Sequence, residues 1–388
     1  MKRIAALLIA GILLITGCTS ATKTDPGAAK GPIKLTIASM SPLSGSQAAQ
    51  GESIRYGAEL AVKDRQEDLK KAGYEIAFLP LDDQAKPEQG TQLAEQILTK
   101  KEVIALVGTL NSSVVIPVSE KLKDDNLVIV SPANTNINVT DRKLANVNRI
   151  VARDDAQGPA GADFIAKNLK ATSVYIIHDK TTYGQGLAEQ VKKQAEKIGL
   201  KVDGFEGVNP GDKDYSAVLT KVKGGGSPVI FFGGMTPEAA QIAKGIKDKG
   251  MQVKLVGADG IDSADLVNLG GDAVNGVYFT SVAKDVSKTA EGQAFVKKYT
   301  EFSKKPMDNF GAYGYDSATI VINALLDYAK ANPGKTPTRK ELMELVRKTK
   351  GFKGVAGTAT FDAKGDNTEA QVFIYQIQNG KYPGVLVQ

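Results

Sequence analysis

From residue 33 onward the chain switches repeatedly between two hydrophobic periods. Ile33, Leu35 and Ile37 recur at every second position of Ile33–Met40, which predicts a strand. Ile54, Ala58, Ala61 and Val62 then recur at helical spacing between Gly51 and Lys71, with Gly73 just past the end. The alternation continues with a strand over Tyr74–Leu81, a helix over Pro87–Lys101 and a strand over Val103–Val107. A helix over Asn111–Asp125 and a strand over Leu127–Val130 follow. Pro87 suits a first helical turn, and Leu93, Ala94, Ile97 and Leu98 share one face of its helix. Strands and helices in turn, joined by short loops, imply βαβ units and a parallel sheet with helices on both faces. The pattern restarts at Ser173–Ile177, then a helix from Gly184, a strand near Val202 and a helix from Tyr215. A strand at Pro228–Phe232, a helix from Glu238 and strands at Val253–Val256 and Val277–Thr280 complete it. Two such series predict an α/β protein with two doubly wound parallel-sheet lobes. Thr289–Ser303, Tyr315–Lys330 and Thr338–Lys348 are helical and start no third sheet, so they are expected to cover lobe faces. The tail from Gly357 returns to strands around a turn at Asp362–Asp366.

Composition narrows the chemistry. A length of 388 residues fits two domains, three at most. A hydrophobic fraction of 42% and a mean hydropathy of −0.17 are those of a soluble globular chain. One Cys and one His exclude a disulfide framework within the chain and any multi-cysteine or multi-histidine metal site. A hydrolytic triad would have to use His178, and no GxSxG elbow accompanies it. The 49 basic residues outnumber the 43 acidic ones too slightly, and too evenly along the chain, to indicate nucleic acid. Gly184-Gln185-Gly186 lacks the third glycine of a dinucleotide fingerprint, and Gly224-Gly225-Gly226 lacks the lysine of a phosphate loop. Asp82-Asp83 reads as turn or hinge chemistry. Asp362–Asp366 lacks the remaining ligands of a calcium loop. No cofactor, no metal and no enzymatic activity are expected.

The N-terminus carries a targeting pattern. Lys2 and Arg3 precede the apolar run Ile4–Ile15, too short for the roughly 20 residues of a membrane-spanning helix. Ile15-Thr16-Gly17-Cys18 resembles the lipobox of bacterial lipoproteins, which implies cleavage before Cys18 and a lipid on its sulfur. Residues 1–18 are therefore read as signal peptide and lipobox, and residues 19–32, rich in Ala, Thr, Gly and Pro, as a flexible tether. The expected location is extracytoplasmic, on the periplasmic or outer cell surface, with the lipid as the only membrane attachment.

In open α/β sheets ligands sit beyond the carboxyl ends of the strands, so the loops there matter most. Asn111, Ser112 and Ser113 put polar side chains and free N–H groups at a helix start, which suits a carboxylate, although a plain N-cap uses the same residues. Ser131-Pro132-Ala133-Asn134-Thr135 is a second polar loop. Asp259 is a lone acid among small residues, and Tyr183 lies between a strand and a helix. Neutral hydroxyls and amides on one lobe, opposed by a carboxylate on the other, match a zwitterion.

These segments together resemble the branched-chain amino acid (Leu/Ile/Val) substrate-binding proteins of ABC transporters, type I periplasmic binding proteins with a two-lobed "Venus flytrap" fold. The resemblance is carried by Ser41–Gly45, Asp82-Asp83, Gly108–Pro117, Ser131–Ala133, Asp155–Pro159 and His178–Lys180. It continues through Tyr183–Gly186, Gly233–Glu238 and Phe361–Asp366. It implies three hinge crossovers, with lobe 1 formed by 33–152 plus 283–352 and lobe 2 by 153–282 plus 353–388. It also implies ligand-carboxylate contacts at Ser112 and Thr135, and ammonium contacts at the Ala133 carbonyl, Thr135 and Asp259. Tyr183 would close over the ligand, and Gln50, Met235 and Phe310 would line the side-chain pocket. Gln50 and Met235 stand where aromatic residues are common in that family, which loosens selectivity. The implied partners are an amino acid and a membrane-embedded ABC permease with its ATPase, the binding protein acting as a monomer. Two other readings keep the fold: one binds an amide, a urea-like compound or an aromatic acid, and the other senses a ligand in trans.

Overall fold

The computed structural model describes residues 31–388. The first series comprises β1 (Ile33–Ser41), α1 (Ala48–Asp64), α2 (Gln66–Lys71), β2 (Tyr74–Asp82), α3 (Pro87–Thr99) and β3 (Val103–Gly108). It continues with α4 (Ser112–Leu122), β4 (Val128–Ser131), α5 (Asn138–Asp141) and β5 (Val147–Arg149). These strands form a parallel sheet in the order β2-β1-β3-β4-β5. Both faces of its central strands are covered, as a parallel sheet requires. Leu35 and Ile37 pack with Ile54 and Ala58 of α1 on one side, while Ala38 and Met40 pack with Leu93, Val114 and Val118 on the other.

The second series runs α6 (Asp154–Lys167), β6 (Ser173–His178), α7 (Thr182–Ile198), β7 (Lys201–Gly207), α8 (Ser216–Gly225) and β8 (Val229–Gly233). Next come α9 (Thr236–Asp248), β9 (Lys254–Gly257), α10 (Ala264–Gly270) and β10 (Tyr278–Ser281). Its parallel strands stand in the order β7-β6-β8-β9-β10, which repeats the order of the first sheet. The chain then supplies α11 (Ala290–Ser303), α12 (Gly311–Ala331) and α13 (Arg339–Arg347), the short pair β11 (Phe352–Lys353) and β12 (Thr358–Ala359), and β13 (Phe373–Gln378) and β14 (Lys381–Leu386). The last two add antiparallel to the far side of β10 and complete a seven-stranded sheet.

Three crossovers join the two sheets: after β5, after β10, and between α13 and β13. The helices of 290–347 do return to the first sheet, since α12 packs along α1 and, with α13, against β3 and β4. Glycine permits the α1–α12 approach. A Cβ on Gly57 would lie 2.0 Å from the Gly311 carbonyl oxygen, and one on Gly314 would lie 2.4 Å from that of Ile54. Pro32–Gln388 form one contact unit, so the lobes are packed on each other.

Several boundaries differ from the periodicity. The helix expected from Gly51 starts at Ala48, so Gln50 lies in α1 rather than in a loop, and it breaks at Arg65 into two helices. The periodicity predicts neither β5 nor α6. α6 runs through Gly158, Pro159 and Gly161, residues of low helix propensity, and Gly158 lets it approach Gln190 and Val191 of α7.

The motifs read as structural chemistry have structural partners. Asp82 accepts N–H bonds from Leu43 and Gln84, and Asp83 accepts one from Ala85. His178 packs against Phe205, the rings tilted with centroids 4.9 Å apart, with Nδ1 accepting from the Lys180 N–H, and burial lowers its pKa. Gly226 ends α8 with φ of 71°. Asp362 accepts from the N–H groups of Lys364, Gly365 and Asp366.

Candidate functional site

The carboxyl-end loops of both sheets meet at the lobe interface. Asn136 of the first lobe donates through Nδ2 to the Thr182 carbonyl at 2.7 Å, and Gln50 donates through Nε2 to the Asp262 carbonyl at 3.4 Å. Cys18, the expected lipidation site, lies outside the described residues.

On the first-lobe side two loops lock together. Asn134 accepts from the Thr109 N–H at 3.2 Å and the Ser131 hydroxyl at 2.7 Å, and donates to the Leu110 carbonyl at 2.9 Å. Ser112, the first residue of α4, is buried and its hydroxyl accepts from the Asn136 N–H at 3.3 Å. Asn111 does not cap the helix; its side chain turns away to Gln47, 2.8 Å distant. The start of α4 therefore has no side-chain cap, although the Val114 and Val115 N–H groups already bond to the Asn111 carbonyl. Thr135 is fully buried, and its hydroxyl has no hydrogen-bond partner. A buried orphan hydroxyl costs about 1–3 kcal/mol. Ala133 is also buried in this loop.

Arg149 fixes that loop from behind. It is wholly buried, and its Nη1 donates to the carbonyls of Asn134 at 3.1 Å and Asn136 at 2.8 Å, on either side of Thr135. Its charge is met by Asp366 at 2.6 Å, an acid supplied by the third crossover and shared with Arg153 at 2.8 Å. Burial opposes ionisation of Asp366, but the two arginines outweigh it and hold the carboxyl below its ordinary pKa.

On the second-lobe side Asp259 follows β9 and is buried. Its Oδ1 accepts from the Tyr183 hydroxyl at 2.8 Å and from Gln157 Nε2 at 2.7 Å, which leaves Oδ2 free. The same phenol oxygen accepts from the Gly260 N–H at 2.8 Å. A Cβ at 260 would lie 2.8 Å from the Tyr183 ring and 2.4 Å from the Gly234 carbonyl, so glycine is what allows this packing. Met235 is buried next to that carbonyl, at the start of α9.

A second acid escaped the sequence reading. Asp154, the first residue of α6, donates its N–H to the Thr135 carbonyl at 2.9 Å and accepts from Gln157 Nε2 at 3.3 Å, while its Oδ2 is buried with no partner. Gln157 thus spans both carboxylates. Neither Asp154 nor Asp259 has a salt-bridge partner among the described residues. Burial, then the Asp259 charge, pushes Asp154 to about 8 against the opposing pull of the Thr135 hydroxyl and the Arg149 charge, and burial, tempered by Tyr183 and Gln157, pushes Asp259 to about 6. A continuous ring runs from Ser112 through Asn136, Thr135, Asp154, Gln157 and Asp259 to Tyr183. Phe310 stands apart from this ring, buried at the start of α12 with its edge on Tyr313 at 6.2 Å.

The sequence profile of the periplasmic binding protein family matches residues 34–381. A Leu/Ile/Val-binding protein homolog of Brucella abortus (homolog 2) is 34% identical over 340 residues, 88% of this chain and 89% of that protein. The chain is a type I periplasmic binding protein of the branched-chain amino acid family. The leucine-binding protein LivK of Thermotoga maritima superimposes with a TM-score of 0.80 at 26% identity, covering 89% of this chain and 96% of LivK. A Rhodopseudomonas palustris solute-binding protein in complex with benzoate shares the fold with a TM-score of 0.78 at 21% identity, covering 91% and 95%. The family is one of solute-binding proteins and implies a place outside the cytoplasm. Among the described residues no helix is long and apolar enough to cross a membrane.

Proposed function

We propose that this protein captures an amino acid between its two lobes and delivers it to an ABC permease. One observation carries this reading: two buried carboxylates, Asp154 and Asp259, face the first-lobe loop with no salt-bridge partner among the described residues, Arg149 acting on Asp154 without bridging it, beside a Thr135 hydroxyl that makes no well-formed hydrogen bond. An ammonium group supplies the missing charge. Ser112, Thr135 and the uncapped start of α4 would take the carboxylate, the Ala133 carbonyl and Thr135 would share the ammonium, and Tyr183 would close over it. Gln50, Met235 and Phe310 would line the space for the side chain, with small aliphatic residues favoured. The lobes would divide as 33–152 plus 283–352 and 153–282 plus 353–388, with Cys18 as the lipid anchor. Ligand contacts on both lobes would stabilise the closed form, which the permease would recognise.

The benzoate-bound relative favours testing a second reading, an aromatic or other acid lacking an amine. Calorimetry of the purified protein with aliphatic amino acids, their deaminated analogues and benzoate separates the two. Binding of the amino acids alone supports the proposal, and equal binding of the deaminated acids refutes it. Mass spectrometry of the protein from membranes, with Cys18→Ser as control, tests the anchor.

A further inference from the structure

A second group of buried acids lies at the lobe interface. Asp308, in the loop between α11 and α12, is fixed to α1 by Ser53, whose hydroxyl accepts from its N–H at 2.9 Å and donates to its carbonyl at 3.0 Å. Asp262 and Ser263 follow β9, and Tyr382 comes from β14, so these three belong to the other sheet. Ser263 donates to Asp308 Oδ2 at 2.6 Å, and the Tyr382 hydroxyl lies 2.8 Å from Asp262 Oδ1 and 3.3 Å from Asp308 Oδ1. We propose that Asp308, Tyr382 and Asp262 form a proton-bearing latch that holds the two lobes closed.

Two ionised carboxylates cannot both be satisfied by one phenol. Tyr382 has a single O–H, and donating it to one carboxylate leaves its lone pair facing the other. A proton on one of the two carboxyls completes the chain, since that carboxyl donates to the phenol and the phenol donates onward to the remaining carboxylate. The other contacts add no positive charge. Ser281 donates to Asp262 Oδ2, and the Asn309 N–H donates to Asp308 Oδ1 at 2.8 Å.

The surrounding elements do not balance the pair either. Tyr299 on α11, Tyr313 on α12 and Tyr375 on β13 are neutral phenols whose pKa values burial raises further. Asp265 on α10 adds negative charge near Asp308. Lys305 is bound to Glu52 of α1 at 2.5 Å, and Lys288 faces Asp285 at 3.4 Å. Lys284 is the remaining cation nearby, across a cavity of about 190 Å³ that it lines with Asp262, Asp308 and Tyr382. That cavity gives water a path to the proton. Burial pushes Asp262 to about 7 and Asp308 to about 6, each raised further by a neighbouring aspartate.

The sign follows from the raised values. Closing the lobes takes up a proton, so closure is favoured at low pH and lost as pH rises through about 7. One proton with this displacement makes the closing equilibrium about tenfold weaker at pH 8 than at pH 6. The inference rests on the solute-binding reading only in that the lobes open and close.

Small-angle scattering of the ligand-free protein at about pH 5.5 and about pH 8.5 tests it directly, on the wild type, Asp308→Asn, Asp262→Asn and Tyr382→Phe. The wild type is expected to be more compact at the lower pH. Either asparagine variant, which brings its own N–H, should stay compact at both, and Tyr382→Phe should be expanded at both. A wild-type radius that ignores pH, or folded asparagine variants that follow the wild-type curve, overturns the latch. Titration with leucine in buffers of different ionisation enthalpy should show about one proton more taken up by the wild type than by Asp308→Asn. Failure of leucine and every other amino acid to bind would count against the proposed function, while the scattering result would still decide the latch.

Discussion

Replacing Asp366 with asparagine would keep the shape of the hinge but leave Arg149 a buried, uncompensated charge. Arg149 is fully buried, and Asp366, with a side chain 10% exposed, meets it at 2.6 Å. Removing one partner of a buried pair costs about 3–5 kcal/mol, much of it the desolvated charge left behind. The Coulomb attraction alone, about 4 kcal/mol at 4 Å in an effective dielectric of 20, has the same size. Unfolding entropy near 60 °C is about 2.1 cal/mol/K per residue, or about 0.8 kcal/mol/K for a chain of this length, so the melting temperature should fall by about 4–6 °C. Differential scanning calorimetry at neutral pH measures this. Lys364→Ala is the control: its pair with Asp141 is 2.8 Å long, but the side chains are 43% and 35% exposed, and an exposed pair contributes about 0–1 kcal/mol. The Asp366 term is also pH-dependent. Its pKa is lowered on folding, so its stabilisation is present above the ordinary carboxylate value of 3.8 and is lost as pH falls through the lower folded value. An Asp366→Asn melting temperature no lower than that of Lys364→Ala would refute the view that this bridge carries the hinge.

Two further outcomes test the ligand site. Thr135→Val removes a buried hydroxyl that makes no well-formed hydrogen bond and only helps hold down the Asp154 pKa, so the ligand-free protein should melt at about the same temperature, while amino-acid affinity falls about 10–100-fold by calorimetry, the loss of a hydrogen bond to a charged group. Asp154, whose pKa burial raises to about 8, stabilises the ligand-free fold below the ordinary carboxylate range, and that contribution is lost as pH rises toward 8. Asp154→Asn should therefore flatten the melting temperature of the ligand-free protein between about pH 5 and pH 8, and an unchanged slope would contradict the assignment.

Much of the fold was legible because a parallel sheet writes itself as repeated apolar runs separated by helical periods. Both lobes follow that rule, and the helices of 290–347 were recognisable as cover because no strand lay among them. The missed elements are those whose reasons for existing are tertiary. β5 is three residues long and is ordered by pairing with β4. α6 carries Gly158, Pro159 and Gly161 because it lies close against α7, and so it lacks the apolar stripe that marks a helix. The site divides in the same way. Ser112, Thr135, Tyr183 and Asp259 stand at strand ends, where topology directs attention, and they do cluster. Asp154, Gln157 and Arg149 belong to the crossover and to α6, which periodicity did not predict. Gln157 lay inside a segment, Asp155–Pro159, noted only for its resemblance to a family, while Asp154 and Arg149 fell outside every segment singled out. Phe310 could be assigned to the pocket by resemblance alone, since nothing local to it points there.

The acids at the interface explain why such a molecule would have two states rather than a continuum. Asp154, Asp259, Asp262 and Asp308 are all buried at the lobe interface, and none has a salt-bridge partner among the described residues. Opening the cleft would hydrate them, while closing it concentrates negative charge in a medium of low polarisability, where desolvation can exceed any gain from contact. The Arg149–Asp366 bridge relieves this only in part, because the Arg149 charge lowers the pKa of Asp154 but burial and the Asp259 charge outweigh it. Closure would therefore depend on charges from outside the chain: the ammonium of a ligand between Asp154 and Asp259, and a proton at Asp262 and Asp308. On these terms a neutral or purely anionic solute, however well shaped for the apolar pocket, would leave the first pair unbalanced and the closed form sparsely populated.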